Sequence, residues 1–251
     1  MLTLFITSRL DTYTKDDMDN KIPKHFGNEN HILDNLKKYI KNYKNLLLIA
    51  SDPTNTGEND IRAKATFDSF ALTLPFQNYH LLDNRNIDKA KELIDSADLI
   101  ILSGGHVPTQ NKFFQQINLA NILKNKNDGV ILGISAGSMN MAEIVYCPPE
   151  EEGEAFDPKF SRFFAGLGLT NINIMPHRTY CYNTPVDNKD IYKEFLVPDS
   201  HKIEIIAIED GSYILVDNNQ STLYGEGYSL HKGIEKKICE NNKSMVLRQI
   251  I

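Results

Sequence analysis

A serine flanked by glycines is the residue of this chain best suited to nucleophilic chemistry. It lies in the sequence Gly-Ile-Ser-Ala-Gly at residues 133–137, directly after an apolar, β-branched run. A strand that enters such a tight turn projects the central hydroxyl over the edge of its sheet. Residues 139–143 are typical of a helix start, whose free N–H groups would lie beneath the hydroxyl. We predict that Ser135 is a nucleophile, the alternative being an N-capping serine at an ordinary strand–helix turn.

A serine nucleophile needs a general base, and His177 is the best candidate among the seven histidines. It follows the apolar run Ile172–Met175 and Pro176, so we expect it at a strand end with its approach angle stiffened by the proline. The alternative is a loop histidine near Arg178 that carries out no chemistry. Geometry rather than sequence decides between the two.

The paired glycines Gly104 and Gly105 are the best candidates for contacts with a developing oxyanion. They follow the predicted strand Leu99–Leu102, and glycine pairs let backbone N–H groups approach a ligand closely. The adjacent His106 competes with His177 as a base, but we favour an oxyanion or substrate-loop role for it.

Two adjacent carboxylates, Glu209 and Asp210, follow an apolar run and precede a glycine, and either could orient the base. An acid–glycine pair at a strand end is also ordinary turn chemistry. The order serine, histidine, acid along the chain is more informative, because an α/β-hydrolase has the order serine, acid, histidine. An esterase of that type would need Asp157 as its acid, so the order disfavours it.

Three blocks of the sequence resemble the motifs of the peptidase E family, serine peptidase family S51. The blocks lie at residues 133–138, 174–177 and 207–213, with the spacing of that family, and the resemblance extends from the first strand to about Gly225. The family contains aspartyl dipeptidases and is related to cyanophycinase. The resemblance implies a fold similar to class I glutamine amidotransferases, with serine replacing their cysteine, and a Ser-His-acid triad without a metal.

The resemblance also assigns residues to roles. The family's acid precedes the glycine of its block, which corresponds to Asp210, with the adjacent Glu209 as the alternative. The family's oxyanion hole corresponds to the N–H groups of Gly105 and Ala136. Where the family usually has Asn or Gln after its glycines, this chain has His106.

Family dipeptidases recognise an N-terminal aspartate through basic residues that follow the histidine. Here the stretch Tyr182–Phe195 contains Lys189 and Lys193 but no arginine, and Arg178 lies next to the histidine. The resemblance therefore leaves an Asp-Xaa specificity open, with Arg178 as a candidate substrate-binding residue.

Composition excludes several classes of protein. The chain has 251 residues, 41% of them hydrophobic, and a net charge of −6, which disfavours binding to nucleic acid or an anionic membrane. Its three cysteines are far apart, so we predict no disulfide, no zinc site and a reducing cytoplasm. The apolar start Met1–Thr7 is short and predicts a core strand rather than a signal peptide, and no apolar run approaches the roughly 20 residues that span a bilayer.

The elements predicted to position these residues alternate between short apolar and longer amphipathic segments, as in βαβ units with a mainly parallel sheet. In such sheets ligands bind beyond the carboxyl ends of the strands. The predicted strands are Leu2–Thr7, Leu46–Ala50, Tyr79–Leu82, Leu99–Leu102 and Val130–Ile134. The predicted helices are His31–Tyr43, Asp60–Leu72, Ile87–Ser96 and Lys112–Lys124. Residues 146–160 predict a loop, and the runs Ile203–Ile208, Tyr213–Val216 and Thr222–Tyr224 predict an antiparallel end to the sheet.

We therefore expect one α/β domain over residues 1–251, with a mainly parallel sheet flanked by helices in a flavodoxin-like three-layer sandwich. The expected function is a serine-type peptidase acting on short peptides, as a monomer or homodimer without a cofactor. The alternatives are a non-catalytic amidotransferase-like binding protein and an esterase-type serine hydrolase. The acidic stretch Glu150–Glu154 is expected to be solvated surface or to steer cationic substrates.

Overall fold

The computed structural model describes residues 2–18, 20–218 and 220–247. The described strands, in chain order, are β1 (Thr3–Thr7), β2 (Tyr13–Lys15), β3 (Lys21–Pro23), β4 (Asn45–Ile49), β5 (Asn78–Leu82), β6 (Leu99–Leu102), β7 (Val130–Ile134), β8 (Ile144–Tyr146), β9 (Phe163–Ala165), β10 (Asn173–Met175), β11 (Ile205–Ile208), β12 (Tyr213–Asp217), β13 (Gln220–Tyr224), β14 (Gly227–His231), β15 (Ile234–Cys239) and β16 (Ser244–Leu247). The described α-helices are α1 (Ile32–Tyr39), α2 (Thr56–Thr73), α3 (Ala90–Ser96), α4 (Val107–Gln116), α5 (Leu119–Lys124), α6 (Ala136–Met139), α7 (Arg178–Asn183) and α8 (Val197–Asp199).

A central sheet of eight strands has the order β16-β13-β12-β1-β7-β6-β4-β5. Strands β1, β7, β6, β4 and β5 run parallel, while β12, β13 and β16 extend the sheet in antiparallel pairing. The carboxyl ends of the parallel strands therefore meet at one edge, where ligands of open α/β sheets bind. The predicted mainly parallel sheet is confirmed.

Apolar layers cover both faces of this sheet. One face, with Phe5 and Leu132, packs against α1 and α2, while the other, with Ile6 and Ile131, packs against α3 to α6. Alternate residues of a strand point to opposite faces, so neighbours in sequence enter different cores. Such strands, buried on both faces, are continuous apolar runs in the sequence. The result is the predicted three-layer arrangement.

A second sheet has the order β10-β11-β14-β15. The run Ile203–Ile208 was predicted to join the antiparallel end of the central sheet, and this prediction was wrong. Its strand β11 instead pairs in parallel with β10 and antiparallel with β14. The side chain of Ile206 packs into the core of the central sheet, while that of Ile205 packs into a separate core with Leu230. Because both faces of β11 are buried, this strand is suited to a position between the two cores.

Predicted and observed helices differ mainly at their ends. The predicted helix Lys112–Lys124 is two helices, α4 and α5, because Asn118 adopts a left-handed φ of 53° between them. Helix α4 begins already at Val107, and Pro108 occupies its first turn, where its missing N–H costs nothing. Helix α2 begins at Thr56, because the side chain of Asn55 caps it.

The predicted loop over residues 146–160 is present from residue 147 to residue 160, whereas Tyr146 is the last residue of β8. Within the described part of the chain, no helix combines the length and the apolar composition that crossing a bilayer requires. The predicted single domain stays a prediction.

Two glycines are required where β7 turns into α6. A Cβ on Gly133 would lie 2.7 Å from the backbone N of Ser138, and one on Gly137 would lie 2.2 Å from the carbonyl O of Leu102. Both contacts are with backbone atoms of packed elements, which have no freedom to move away. Only glycine fits at either position, so the turn depends on both.

Gly137→Ala is expected to lower the free energy of unfolding by roughly 3 kcal/mol, because the added methyl overpacks the contact with β6. Urea denaturation measures this change. The matched control is Gly57→Ala in the first turn of α2, where an added Cβ meets nothing within 4 Å. That variant is expected to be neutral or slightly stabilising, and equal losses in both variants would contradict the explanation.

Candidate active site

Ser135 lies at the end of β7 in a strained backbone conformation, with φ 50° and ψ −111°. Few residues other than glycine adopt a positive φ, and strain of this kind concentrates at functional sites. The Ser135 N–H donates to the Thr7 carbonyl at 3.0 Å, and its own carbonyl accepts from the N–H groups of Ser138 and Met139. The predicted strand–turn–helix corner is therefore present.

A reciprocal pair of hydrogen bonds fixes this corner to β1. The Ser138 hydroxyl accepts from the Thr7 N–H and donates to the Thr7 carbonyl, both at 2.8 Å. The Thr7 hydroxyl in turn donates to the carbonyl of Gly133 at 2.6 Å. All of these groups are buried, so each bond also prevents the cost of an unsatisfied polar atom. These hydrogen bonds fix the corner to Thr7 both before Ser135, at Gly133, and after it, at Ser138.

The helix after the corner is much shorter than predicted. Residues 139–143 were expected to form its first turns, but α6 ends at Met139. The buried side chain of Asn140 donates to the Val107 carbonyl and to the Gln110 side chain, and it accepts from Asn111. These bonds anchor the chain where it leaves α6 and turns towards β8. A single turn has little macrodipole, so local N–H groups carry any positive potential here.

His177 follows β10 and Pro176, as predicted, and it adopts a left-handed φ of 53°. Its ring Nδ1 lies 2.6 Å from Oδ1 of Asp210, which follows β11. The parallel pairing of β10 with β11 brings these two strand ends together. With Nδ1–H donating to the carboxylate, Nε2 is the ring nitrogen left to accept a proton.

Ser8, a residue for which no functional role was predicted, contacts both members of this pair. Its hydroxyl donates to Oδ1 of Asp210 at 2.6 Å and accepts from the backbone N–H of His177 at 2.9 Å. Burial raises the pKa of the Asp210 carboxyl, but hydrogen bonds from His177 and Ser8 outweigh it and leave the pKa below its usual value. The position of Ser8 directly after the first predicted strand was the signal that could have identified it.

Sheet register brings the serine corner towards the histidine–acid pair. Thr7 lies opposite Ile134 in the parallel pairing of β1 with β7, so Ser8 and Ser135 leave adjacent strands at the same level. Helix α6 also packs against β10, the strand that leads to His177. In the described part of the chain the side chain and N–H of His177 bond to Asp210 and Ser8, its carbonyl accepts from the Cys181 N–H, and no hydrogen bond of His177 reaches Ser135. Catalytic hydrogen bonds are often long without substrate.

The glycine loop lies against the corner. A Cβ built on Gly104 would be 3.6 Å from the Cβ of Ser135, and the Gly104 carbonyl accepts from Arg62 at 3.3 Å. Because a peptide group is planar and trans, the N–H of Gly105 points away from Arg62. Within the described residues, the N–H groups of Gly105 and Ala136 donate no hydrogen bond to the protein.

Glu209 and Arg178 bind each other rather than His177. The carboxylate of Glu209 accepts from Arg178 at 3.2 Å and from both the N–H and the hydroxyl of Thr179. The guanidinium of Arg178 also binds Glu235 at 2.7 Å and lies 3.7 Å from the ring centre of Tyr228. Of the two candidate acids, the structure pairs Asp210 with the histidine, and Arg178 has carboxylate partners of its own.

His106 is bonded through both ring nitrogens. Nδ1 lies 2.8 Å from the Thr109 hydroxyl, and Nε2 lies 2.8 Å from the carboxylate of Glu154. Glu154 also accepts the N–H groups of Glu150 and Glu151, so His106 fixes the acidic stretch to the glycine loop. Asp157, the acid that an esterase would need, accepts from the backbone of Lys159.

Among the described residues, one group of side chains has the chemistry of metal ligands. Single ligand atoms of His106, Glu151 and Glu154 lie within 4.8 Å of one another. Both oxygens of Glu154 are already engaged, one by the histidine and one by backbone N–H groups, so these hydrogen bonds account for the contact between His106 and Glu154.

The cysteines do not fit a nucleophile. All three are free, and Cys147 and Cys239 are buried. Cys181 follows His177 by four residues, but burial raises the pKa of its thiol to about 12. A thiol with that pKa is protonated at neutral pH and is a poor nucleophile.

Comparison with known proteins agrees with the fold described above. No curated protein matches the sequence significantly. A crystal structure of a peptidase from an acI-B1 actinobacterium superposes with a TM-score of 0.67 at 15% identity, covering 98% of this chain and 96% of that one. A protein from Listeria monocytogenes EGD-e, described as a peptidase E, gives a TM-score of 0.57 at 13% identity, covering 95% of this chain and 100% of that one.

The fold and the serine corner thus define an α/β protein with a class I glutamine amidotransferase-like architecture. The family model of peptidase family S51 matches residues 23–224. The chain belongs to peptidase family S51, and it is therefore a peptidase. The predicted fold class and family are confirmed.

Arg178→Ala is expected to lower the free energy of unfolding by roughly 3 kcal/mol, because it leaves the partly buried carboxylates of Glu209 and Glu235 unpaired. Thermal and urea denaturation measure this change. The control is Lys64→Ala, which breaks an exposed ion pair with Asp68 and is expected to cost less than about 0.5 kcal/mol. A stable Arg178→Ala variant that loses affinity for acidic substrates would instead indicate a substrate-binding role.

Proposed function

We propose that this peptidase is a serine-type enzyme that hydrolyses short peptides through Ser135, His177 and Asp210. The observation that carries the proposal is the bond between His177 and Asp210, formed beside a serine in a strained turn. A base oriented by a carboxylate and a nucleophile on a sharp corner are the recurring parts of serine hydrolases. Membership of family S51 favours peptide bonds over esters as the substrate.

In the proposed reaction, the Ser135 hydroxyl attacks the scissile carbonyl carbon while Nε2 of His177 accepts its proton. The imidazolium then delivers that proton to the leaving amine, and an acyl-enzyme ester remains. Water attacks the ester with His177 again acting as base, which releases the acid product and restores the serine. Asp210 holds the ring with Nδ1 protonated and stabilises the imidazolium.

We propose that the N–H groups of Gly105 and Ala136 bind the oxyanion. Support comes from the closeness of Gly104 to Ser135 and from the lack of described protein acceptors for these two N–H groups. Free donors aimed at one point are worth about 3 kcal/mol each in serine hydrolases. The side chain of His106 acts in this proposal by holding the acidic stretch against the glycine loop.

The substrate proposed is a short peptide, with Asp-Xaa dipeptides as one candidate class. The basic residues expected to bind an aspartate are engaged with acids: Arg178 with Glu209 and Glu235, Lys189 with Glu194, and Lys193 with Asp190. This pairing disfavours an acidic first residue mainly at Arg178, whose ion pairs are largely buried, because the exposed ion pairs of Lys189 and Lys193 cost little to break. A comparison of Asp-, Glu-, isoaspartyl-, Ala- and Lys-initiated dipeptides tests the preference.

Ser135→Ala is expected to abolish both dipeptide hydrolysis and labelling by a fluorophosphonate probe, because the nucleophile is absent. Mass spectrometry of the labelled peptide identifies the modified residue, and circular dichroism checks that the fold is unchanged. Ser103→Ala, at the start of the glycine loop, is the matched control and is expected to be labelled. A well-folded wild-type chain that neither reacts with the probe nor cleaves any dipeptide would favour a non-catalytic binding protein instead.

Asp210→Asn is expected to lower kcat by roughly 10⁴-fold, because an amide cannot hold the imidazole in the required tautomer. The matched control is Glu209→Gln at the neighbouring position, which is expected to lower stability while retaining most of kcat. The two variants are compared by dipeptide hydrolysis and by urea denaturation. The reverse result would make Glu209 the catalytic acid.

A further inference from the structure

We propose that Ser8 is a positioning residue for the catalytic pair, acting through both His177 and Asp210. The proposal rests on the proposed function, since it assigns a role within that site. Ser8 is fully buried and leaves the end of β1 at the edge where the parallel strands terminate.

The hydrogen-bonding capacity of one hydroxyl accounts for all of its contacts. A serine hydroxyl donates one hydrogen bond and accepts two. Ser8 uses its proton on Oδ1 of Asp210 at 2.6 Å and accepts the backbone N–H of His177 at 2.9 Å. Its oxygen also lies 3.3 Å from Nδ1 of His177, beside the bond from that nitrogen to the same Oδ1. The hydroxyl, the ring nitrogen and the carboxylate oxygen therefore form a closed triangle.

One of these hydrogen bonds restrains the backbone of His177, and the other restrains the carboxylate of Asp210. His177 has a left-handed backbone, which costs energy and persists only when its surroundings fix it. The bond from its N–H to Ser8 provides such a restraint. The Asp210 side chain is 48% exposed, so water competes for it, and the bond from Ser8 keeps Oδ1 directed at the imidazole.

Ser8 also joins two parts of the fold. His177 and Asp210 lie at the ends of β10 and β11 in the second sheet, whereas Ser135 lies at the end of β7 in the central sheet. Ser8 follows β1, whose residue Thr7 is opposite Ile134 and accepts the N–H of Ser135. One short segment therefore binds the nucleophile's backbone at Thr7 and the histidine–acid pair at Ser8. This continuity sets the relative placement of the base and the nucleophile.

Removal of the Ser8 hydroxyl is expected to change the orientation of the histidine–acid pair and the electrostatic environment of the Asp210 carboxylate. Without its proton, Oδ1 of Asp210 becomes a stronger partner for the imidazolium, so the protonated, inactive form of the pair persists to higher pH. The acid limb of the pH profile is expected to move to higher pH. The rate is expected to fall by roughly tenfold at its plateau, with KM unchanged, because the bond contributes to the reaction rather than to substrate binding.

The test compares wild type, Ser8→Ala and Ser8→Cys by the rate constant of fluorophosphonate labelling at Ser135 as a function of pH. The thiol of Ser8→Cys fills the space of the hydroxyl but donates weakly, so a shift in both variants is attributable to the hydrogen bond and not to a cavity. The control is Ser69→Ala, another fully buried serine, whose hydroxyl donates to the Lys24 carbonyl and bonds to neither His177 nor Asp210. Ser69→Ala is expected to lose stability without any change in the pH profile.

A second readout does not depend on a reactive Ser135. The proton on Nδ1 of His177 gives a downfield resonance while it is hydrogen-bonded to Asp210, and this resonance is expected to move in Ser8→Ala but not in Ser69→Ala. A folded Ser8→Ala chain with the wild-type resonance and pH profile would overturn the proposal. A wild-type chain that fails to react with the probe would overturn the proposed function, and the resonance would still decide the role of Ser8.

Discussion

The geometry of the candidate site depends on the register between β1 and β7. Thr7 and Ser138 exchange two buried hydrogen bonds, and Thr7 also binds the carbonyl of Gly133 and the N–H of Ser135. A slip of one residue would break all four bonds at once and send alternate side chains to the opposite core. The strained backbone of Ser135 persists because these bonds, together with the two glycines of the corner, leave it no alternative conformation.

The proposed base and acid come from the second sheet rather than from the central sheet. The proposed nucleophile, Ser135, follows a strand that is buried between two layers of helices, where an ionised carboxylate would be costly. His177 and Asp210 come instead from β10 and β11, which approach from the side and leave the acid partly in water. The proposed base and acid therefore belong to a different sheet from the strand that leads to Ser135.

The sequence predicted those parts of the fold and site that local chemistry determines. The parallel strands, the corner at Ser135 and the proline-led His177 were correctly located, because apolar runs, glycines and proline impose their own geometry. The sheet to which β11 belongs was wrongly predicted, since that depends on which partners it finds in space. The length of α6 was wrongly predicted because the buried hydrogen bonds of Asn140, which anchor the chain where it leaves the helix, are not visible in the sequence. Ser8 could be placed at a strand end but not assigned a partner, because its contacts lie 169 and 202 residues away.

The crossed pairing at the ends of β10 and β11 has a consequence for how the protein assembles. Extrapolating the strand register sets His177 opposite Glu209 and Arg178 opposite Asp210, yet the bonds join His177 to Asp210 and Arg178 to Glu209. The guanidinium of Arg178 binds the Glu209 carboxylate. Asp210 is therefore the acid that remains to pair with the imidazole of His177. If β10 and β11 paired in a different register, Arg178 and His177 would lie beside different side chains and these two bonds would not form. The pairing of β10 with β11 brings the four side chains together, and the choice of partner among them then leaves Asp210 for the imidazole.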